Sequence, residues 1–137
     1  MSEEENITGN DSTLLEVEEL KMHFPVRGGV FSRQVGAVRA VDGVTLSIGR
    51  GETLGLVGES GCGKSTLGKA IVRLLKPTGG SVRFKGNDIT HMWQGKLRPL
   101  RQDFQMVFQD PAESLDARMS VGELVAEPMV IQRMGNR

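Results

Sequence analysis

The chain has 137 residues, which is enough for one modest domain. Its 17 basic and 17 acidic residues balance, so no basic surface argues for binding to nucleic acid. A single cysteine cannot form an internal disulfide, and no apolar stretch approaches the ~20 residues that a transmembrane helix needs. The acidic N-terminus does not resemble a signal peptide, so we expect a soluble protein whose membrane role, if any, comes through a partner.

The first part of the chain predicts strands. Residues 1–12 are polar and acidic and predict a disordered tail. From Leu14, alternating apolar and polar residues predict a half-buried strand. A glycine-punctuated loop follows over roughly residues 26–36, with a surface hairpin or insertion as the alternative. Strand character resumes over residues 40–48, and an apolar run over residues 53–57 predicts a further strand.

The second part mixes helices with strands. The predicted elements are a helix over residues 64–75 that Lys76 and Pro77 end, a short strand over residues 81–84, a polar helical stretch that ends near Arg101, a strand over residues 105–108, and a helix from Ser120 to about Ile131. Ser120 and Glu123 have the spacing of a capping box, which places the start of the last helix. The order of elements indicates an α/β core with a small β layer attached.

Residues 58–65 carry the strongest functional signal, because they match the G-x-x-x-x-G-K-[ST] pattern of a phosphate-binding loop between a predicted strand and a predicted helix. Its glycines allow backbone conformations that present N–H groups to phosphate oxygens, and the helix N-terminus favours an anion at the same place. Lys64 adds a positive charge for the β and γ phosphates, and the Ser65 hydroxyl is a candidate Mg²⁺ ligand. The predicted contacts to the nucleotide come from Gly58, Glu59, Ser60, Gly61, Cys62, Gly63, Lys64, Ser65 and Thr66.

Plainer interpretations of these residues exist. The loop could be a glycine-rich turn with a surface lysine, although the flanking strand and helix favour the phosphate-binding loop. Cys62 could be taken for a nucleophile, but no mechanism needs one there, and a variable position of the pattern falls on it. His23 and His91 lack the neighbours of a metal site, so we expect solvated or loop histidines.

Three separate stretches together resemble the nucleotide-binding subunit of an ATP-binding cassette (ABC) transporter. They are the phosphate-binding loop, the run Met106 to Pro111 that contains Gln109, and Phe24 near the end of the first strand. Ser114, Leu115, Arg118 and Met119 make the chain similar to the subgroup that powers uptake of dipeptides and oligopeptides. The resemblance implies a P-loop NTPase (RecA-like) core with an antiparallel β subdomain, truncated before the signature and Walker B regions, over residues 13–137.

The resemblance also implies roles for single residues. Phe24 would stack on adenine, or else be an ordinary core phenylalanine at a strand end. Gln109 would complete the Mg²⁺ shell and sense the γ phosphate, or else be a polar residue at a strand end; with Lys64 it is a predicted catalytic group. Residues 110–120 would receive the membrane-spanning permease subunit, which places the chain at the cytoplasmic face of the cell membrane. There Asp116 and Ala117 depart from the subgroup's usual Asn-Pro, which leaves the partner contacts in doubt.

The sequence contains no Leu-Ser-Gly-Gly-Gln signature and no apolar strand ending in Asp-Glu. The family's catalytic carboxylate is therefore absent from these residues, and we expect ATP binding without turnover, because a phosphate-binding loop alone does not activate water. We also expect residues 53–57 and 105–108 to lack neighbouring strands, so the chain alone should be marginally stable. A homo- or heterodimer of nucleotide-binding subunits is the implied assembly.

Two other functions compete with a transport ATPase. One is a non-catalytic ATP-binding or regulatory module that is complete at this length. The other is a small P-loop kinase, which would need an arginine-bearing lid and would not explain Gln109 and its neighbours.

Overall fold

The computed structural model describes residues 12–28, 33–109 and 115–134. In chain order these hold β1 (Thr13–Gly28), β2 (Arg33–Gly49), α1 (Lys64–Ile71), β3 (Gly79–Phe84), β4 (Asn87–Asp88), α2 (Gln94–Leu100) and α3 (Val121–Ile131). They divide into two compact units, Met1–Met92 and Trp93–Arg137. Residues 1–11 of the predicted tail lie outside the described residues. None of the helices described is long and apolar enough to span a membrane.

The first unit contains an antiparallel sheet of four strands in the order β2-β1-β3-β4. β1 and β2 form a long hairpin whose pairing continues as far as Gly28 opposite Arg33. The predicted loop over residues 26–36 is therefore wrong at both of its ends, where the strands are paired as in the alternative of a surface hairpin. Its backbone groups pair across the hairpin, and this pairing overrides the tendency of the local glycines to form a loop.

The core of the first unit lies between the sheet and α1. The apolar side chains that are most deeply buried are Val17, Leu20, Leu67, Ala70, Val82 and Ile89. Val17 lies directly opposite Val82 across β1 and β3, and Leu67 and Ala70 share one face of α1. This packing fixes the beginning of α1 relative to the sheet.

α1 ends at Ile71 and not at the predicted residue 75. Just beyond it Arg73 has a φ of 57° and is 5% exposed. Its Nε donates to the Ile89 carbonyl at 2.7 Å and its Nη2 to the Met92 carbonyl at 3.3 Å. These long-range hydrogen bonds turn the chain away from the helix before Pro77 is reached, which a local pattern does not reveal.

A side chain extends the sheet beyond its shortest strand. β4 has two residues, Asn87 and Asp88, and Thr90 is the second residue after it. The Val82 N–H donates to the Thr90 hydroxyl at 2.8 Å, while the Val82 carbonyl accepts from the Ile89 N–H at 2.9 Å. Asp88 accepts from the Thr90 N–H at 2.8 Å and holds that residue in place.

The second unit contains α2 and α3. Arg98 Nη2 donates to the Ile131 carbonyl at 2.5 Å, and Gln132 Nε2 donates to the Arg98 carbonyl at 3.2 Å. The predicted capping box of α3 is confirmed: Ser120 N–H donates to Glu123 Oε2 at 2.8 Å, and Glu123 N–H donates to Ser120 Oγ at 3.4 Å. The bond from the Ser120 N–H holds the pKa of Glu123 below its ordinary value.

The strands predicted over residues 53–57 and 105–108 are not formed. A strand requires hydrogen bonds to a neighbour, and no strand among the described residues pairs with either segment. Their apolar side chains are left exposed, as expected from the sequence; Val57 is 95% exposed and Val107 is 93% exposed.

Candidate phosphate-binding site

The loop over residues 58–63 joins an extended segment to the N-terminus of α1. Gly61 and Gly63 have φ values of 82° and 95°, in the left-handed region that favours glycine. The Leu67 N–H donates to the Gly63 carbonyl at 2.8 Å and so begins the helix. The backbone therefore reverses within the loop and enters α1 in a conformation that glycine tolerates best.

Lys64 folds back over the loop. Its Nζ donates to the carbonyls of Gly58 at 2.6 Å and Glu59 at 2.5 Å, and to Cys62 Sγ at 3.3 Å. No carboxylate of the described residues forms an ion pair with it. The result is a half-buried lysine whose ammonium group is held by neutral acceptors.

The N-termini of α1 and α3 differ in a way that bears on this charge. α3 has the Ser120 side chain as a cap and Glu123 in its first turn. At α1 the cap residue is Gly63, no side chain accepts from the helix, and the first turn has no acidic residue. The positive end of the α1 dipole and the Lys64 charge thus occur together without an anion from the described part of the chain.

Two contacts explain why glycine stands in the loop. A Cβ on Gly63 would lie 2.1 Å from the Ala40 carbonyl oxygen, and a Cβ on Gly58 would lie 2.7 Å from Cys62 Sγ. The loop is therefore packed directly against β2. A cavity of about 240 Å³ opens beside it, and its lining includes Ala40, Val41, Asp42, Gly63 and Lys64.

The donor set fits a nucleoside triphosphate with its Mg²⁺. A lysine ammonium and an uncapped helix N-terminus suit phosphate, and the Ser65 hydroxyl is exposed at the first turn of α1 as an oxygen ligand for a hard cation. Thr66 follows it and is half-buried.

The structure connects Phe24 to the loop through the hairpin. Phe24 lies in β1 opposite Val38, and its side chain is 38% exposed. Val38 precedes by two residues Ala40, whose carbonyl contacts the Gly63 position. At this exposure Phe24 is not part of the buried core of the first unit.

Gln109 belongs to the second unit. Its side chain is exposed and follows the extended segment that ends at Phe108. Of the predicted permease-binding region, residues 110–114 lie outside the described residues, and residues 115–118 are exposed.

A cluster beside Phe24 was not predicted from the sequence. The interpretation of His23 as a loop residue is wrong, because His23 lies in β1; its side chain is 30% exposed, and its Nε2 is 2.8 Å from Asp42 Oδ1. Arg39 Nη1 donates to Asp42 Oδ2 at 3.3 Å. The hydrogen bond with His23, followed by the charges of His23 and Arg39, lowers the pKa of the Asp42 carboxyl, partly opposed by its desolvation.

The glycine loop, its lysine and the helix that follows define a P-loop nucleotide-binding fold of the α/β class. The sequence profile of the ABC transporter family matches residues 41–136, and the chain belongs to that family.

Relatives with curated functions agree with this assignment. The chain is 51% identical over 126 residues to the oligopeptide transport ATP-binding protein AppF of Bacillus subtilis (strain 168), covering 91% of this chain and 38% of AppF. It is 50% identical over 118 residues to OppF of Salmonella typhimurium, another oligopeptide transport ATP-binding protein, covering 85% and 35%. The glutathione import ATP-binding protein GsiA of Salmonella typhi is 46% identical over 122 residues, covering 89% and 20%. The chain thus spans little more than one third of the length of AppF and OppF.

Solved structures show the same fold. The dimeric ATP-binding cassette MJ0796 bound to ADP and Pi superposes with a TM-score of 0.74 at 22% identity, covering 90% of this chain and 50% of that one. CbiO1 from Clostridium perfringens, part of the cbiONQ complex, has a TM-score of 0.65 at 29% identity, covering 92% and 45%. The predicted fold class is confirmed.

Proposed function

We propose that the chain binds Mg-ATP through residues 58–65. The observation that carries this proposal is the Lys64 ammonium group, which lies at the uncapped N-terminus of α1 and has no carboxylate partner among the described residues. A triphosphate would supply the missing negative charge, and its oxygens would accept hydrogen bonds from Nζ in place of the neutral carbonyl oxygens of Gly58 and Glu59.

Each predicted residue has a role in this proposal. Lys64 would contact the β and γ phosphates, backbone N–H groups of the loop would surround them, and Ser65 would bind Mg²⁺. Gln109 would complete the metal shell and sense the γ phosphate, and Phe24 would stack on adenine. The bound Mg²⁺ would neutralise charge on the phosphates.

For the whole protein we propose an energy-coupling subunit of a peptide importer. The similarity to AppF, OppF and GsiA, whose names state oligopeptide or glutathione transport, supports a peptide as the solute. A pair of nucleotide-binding subunits would close on ATP at the cytoplasmic face of the membrane, and residues 110–120 would contact the permease subunits.

We further propose that residues 13–137 form the N-terminal part of a nucleotide-binding domain and bind ATP without turning it over. The 137 residues include neither a Leu-Ser-Gly-Gly-Gln signature nor an apolar strand ending in Asp-Glu. A site of this composition would hold the phosphates but offer no carboxylate to activate water.

Isothermal titration calorimetry with Mg-ATP tests the binding site. Lys64→Ala should weaken binding by about 10- to 100-fold, the range for one lost charge-assisted contact. Lys69→Ala is the matched control, because Lys69 lies in the last turn of the same helix and should leave the affinity within about twofold. Equal affinity of Lys64→Ala and the parent chain would contradict the assignment.

A phosphate-release assay tests the second part of the proposal. The isolated chain should release no more phosphate from Mg-ATP than the Lys64→Ala variant does. Hydrolysis that is saturable in ATP and lost in Lys64→Ala would show that the chain contains its own catalytic base, and it would overturn the proposed lack of turnover.

A further inference from the structure

We propose that Asp42, held by His23 and Arg39, is a positioning residue that sets Phe24 relative to the phosphate-binding loop. This inference rests on the proposed binding of ATP. It concerns how the β1–β2 hairpin relates two parts of the site, the Phe24 surface on β1 for the base and the phosphate-binding loop that contacts Ala40 of β2.

The first observation is a bulge in the hairpin. Met22 lies opposite Val41, but the next residue, His23, lies opposite Arg39. Ala40 is therefore an extra residue on β2. A bulge bends its strand and increases the local twist, so it changes the direction of whatever the strand carries beyond it.

The second observation is that the bulge separates the two halves of the candidate site. On one side of it Val38 is paired with Phe24. At the bulge itself, the Ala40 carbonyl oxygen would be 2.1 Å from a Cβ on Gly63, so the backbone touches the loop there. The bend at Ala40 thus determines where the Phe24 ring lies relative to Gly63.

The third observation is a set of side-chain contacts that spans the bulge. Asp42 Oδ1 is 2.8 Å from His23 Nε2 on β1, and Asp42 Oδ2 accepts from Arg39 Nη1 at 3.3 Å on the near side of the bulge. The Asp42 carboxylate therefore contacts both His23 and Arg39, which pair with each other on the other side of Ala40. We call these three residues the bulge clamp.

The other side of β1 is fixed independently. The His23 N–H donates to Thr78 Oγ1 at 3.0 Å, and the Lys21 carbonyl accepts from the Thr78 N–H at 2.9 Å. β1 is thereby held in place at the bulge, so loss of the clamp would be taken up by β2. The expected result is a wider range of bends at Ala40 and a Phe24 ring that no longer lies in one position relative to the loop.

The test compares two ligands on the same chain. Calorimetry with excess Mg²⁺ gives the affinity for ATP, which has both base and phosphates, and for inorganic tripolyphosphate, which has phosphates alone. Asp42→Ala should weaken ATP about three- to fivefold, the range for an exposed ion pair, and change tripolyphosphate by less than twofold. His23→Gln should give the same ratio and serves as a second, independent arm.

Two further variants decide between positioning and general loss of stability. Glu16→Ala removes the pair between Glu16 and Arg83, which is on the same sheet and similarly exposed, and it should change neither affinity. In a Phe24→Ala background, Asp42→Ala should have no further effect on ATP, because the ring through which it acts is gone.

The outcomes are separable. A parallel loss of ATP and tripolyphosphate affinity in both Asp42→Ala and His23→Gln, or additive effects of Phe24→Ala and Asp42→Ala, would overturn the positioning role. Failure of the parent chain to bind either ligand, or equal binding by Lys64→Ala, would instead refute the proposed function.

Discussion

We expect Gly63→Ala to destabilise the first unit and to remove ATP binding, for two reasons that can be read from the structure. Gly63 has a φ of 95°, which costs an L-residue about 1–2 kcal/mol. The new Cβ would also lie 2.1 Å from the Ala40 carbonyl oxygen, against a limit of 3.0 Å that real Cβ contacts essentially never cross. Backbone must therefore move by close to 1 Å, on the scale of core overpacking at about 1–3 kcal/mol.

Other glycines of the chain separate these two costs. Gly61 has a φ of 82° but nothing within 4 Å of its Cβ position, so Gly61→Ala should cost only the conformational part, about 1–2 kcal/mol. Gly55 has neither a positive φ nor a neighbour within 4 Å, and Gly55→Ala should change stability by less than about 1 kcal/mol. Gly63→Ala, in contrast, should cost about 2–5 kcal/mol.

Urea unfolding followed by far-UV circular dichroism measures the free energy of unfolding of each of the three variants. Calorimetry without urea, at a temperature where each variant is folded, measures ATP binding. The loss of unfolding free energy should be largest for Gly63→Ala, smaller for Gly61→Ala and smallest for Gly55→Ala. A Gly63→Ala variant no less stable than Gly61→Ala would refute it, since the contact with Ala40 would then carry no energy.

Three further outcomes are expected. Ser120→Ala should lower the stability of α3 by about 1 kcal/mol, seen as lost helical signal in circular dichroism, and an unchanged spectrum and midpoint would contradict the cap. Because the pKa of Glu123 is lowered in the folded chain, the contribution of its carboxylate to stability is complete above the ordinary pKa of 4.5 and is lost as pH falls through the folded pKa. α3 should therefore melt at a lower temperature in acid. Glu123→Gln should flatten this dependence of stability on pH, and an equally steep dependence in the variant would count against the role of Glu123. Leu20→Ala, at a fully buried position, should cost about 2–5 kcal/mol in urea unfolding, while Val57→Ala, 95% exposed, should cost almost nothing; similar costs would show that Val57 is packed.

Features that depend on neighbouring residues in the chain were predictable from the sequence. The capping box at Ser120 and Glu123 is complete within four residues, so its spacing was enough to place the start of α3. The phosphate-binding loop is similarly local, since the glycine positions, Lys64 and Ser65 follow one another and the helix begins where the motif requires.

Features that depend on distant partners were not predictable in the same way. An apolar run predicted strands over residues 53–57 and 105–108, but a ladder needs a second strand, and the described residues supply none. The early end of α1 depends on Arg73 reaching Ile89, and Gly28 and Gly36 belong to the hairpin because they pair with Arg33 and Val26.

Only part of the candidate site could be predicted from the sequence, for the same reason. Asp42 and His23 are far apart along the chain, and neither belongs to a motif, so no spacing rule connects them. The contact of Ala40 with the Gly63 position is a backbone contact and leaves no side-chain signature. A glycine before the motif lysine was the one available hint that another chain segment passes close by.

The Thr90 side chain affects whether a strand of another molecule can pair with the edge of β3. A backbone strand edge attracts other strands because its N–H and carbonyl groups seek partners. At Val82 both groups are occupied, the N–H by the Thr90 hydroxyl and the carbonyl by the Ile89 N–H. An incoming peptide therefore finds no free backbone hydrogen-bonding group at Val82, where the Thr90 hydroxyl and the Ile89 N–H together close that point of the β3 edge to strand addition.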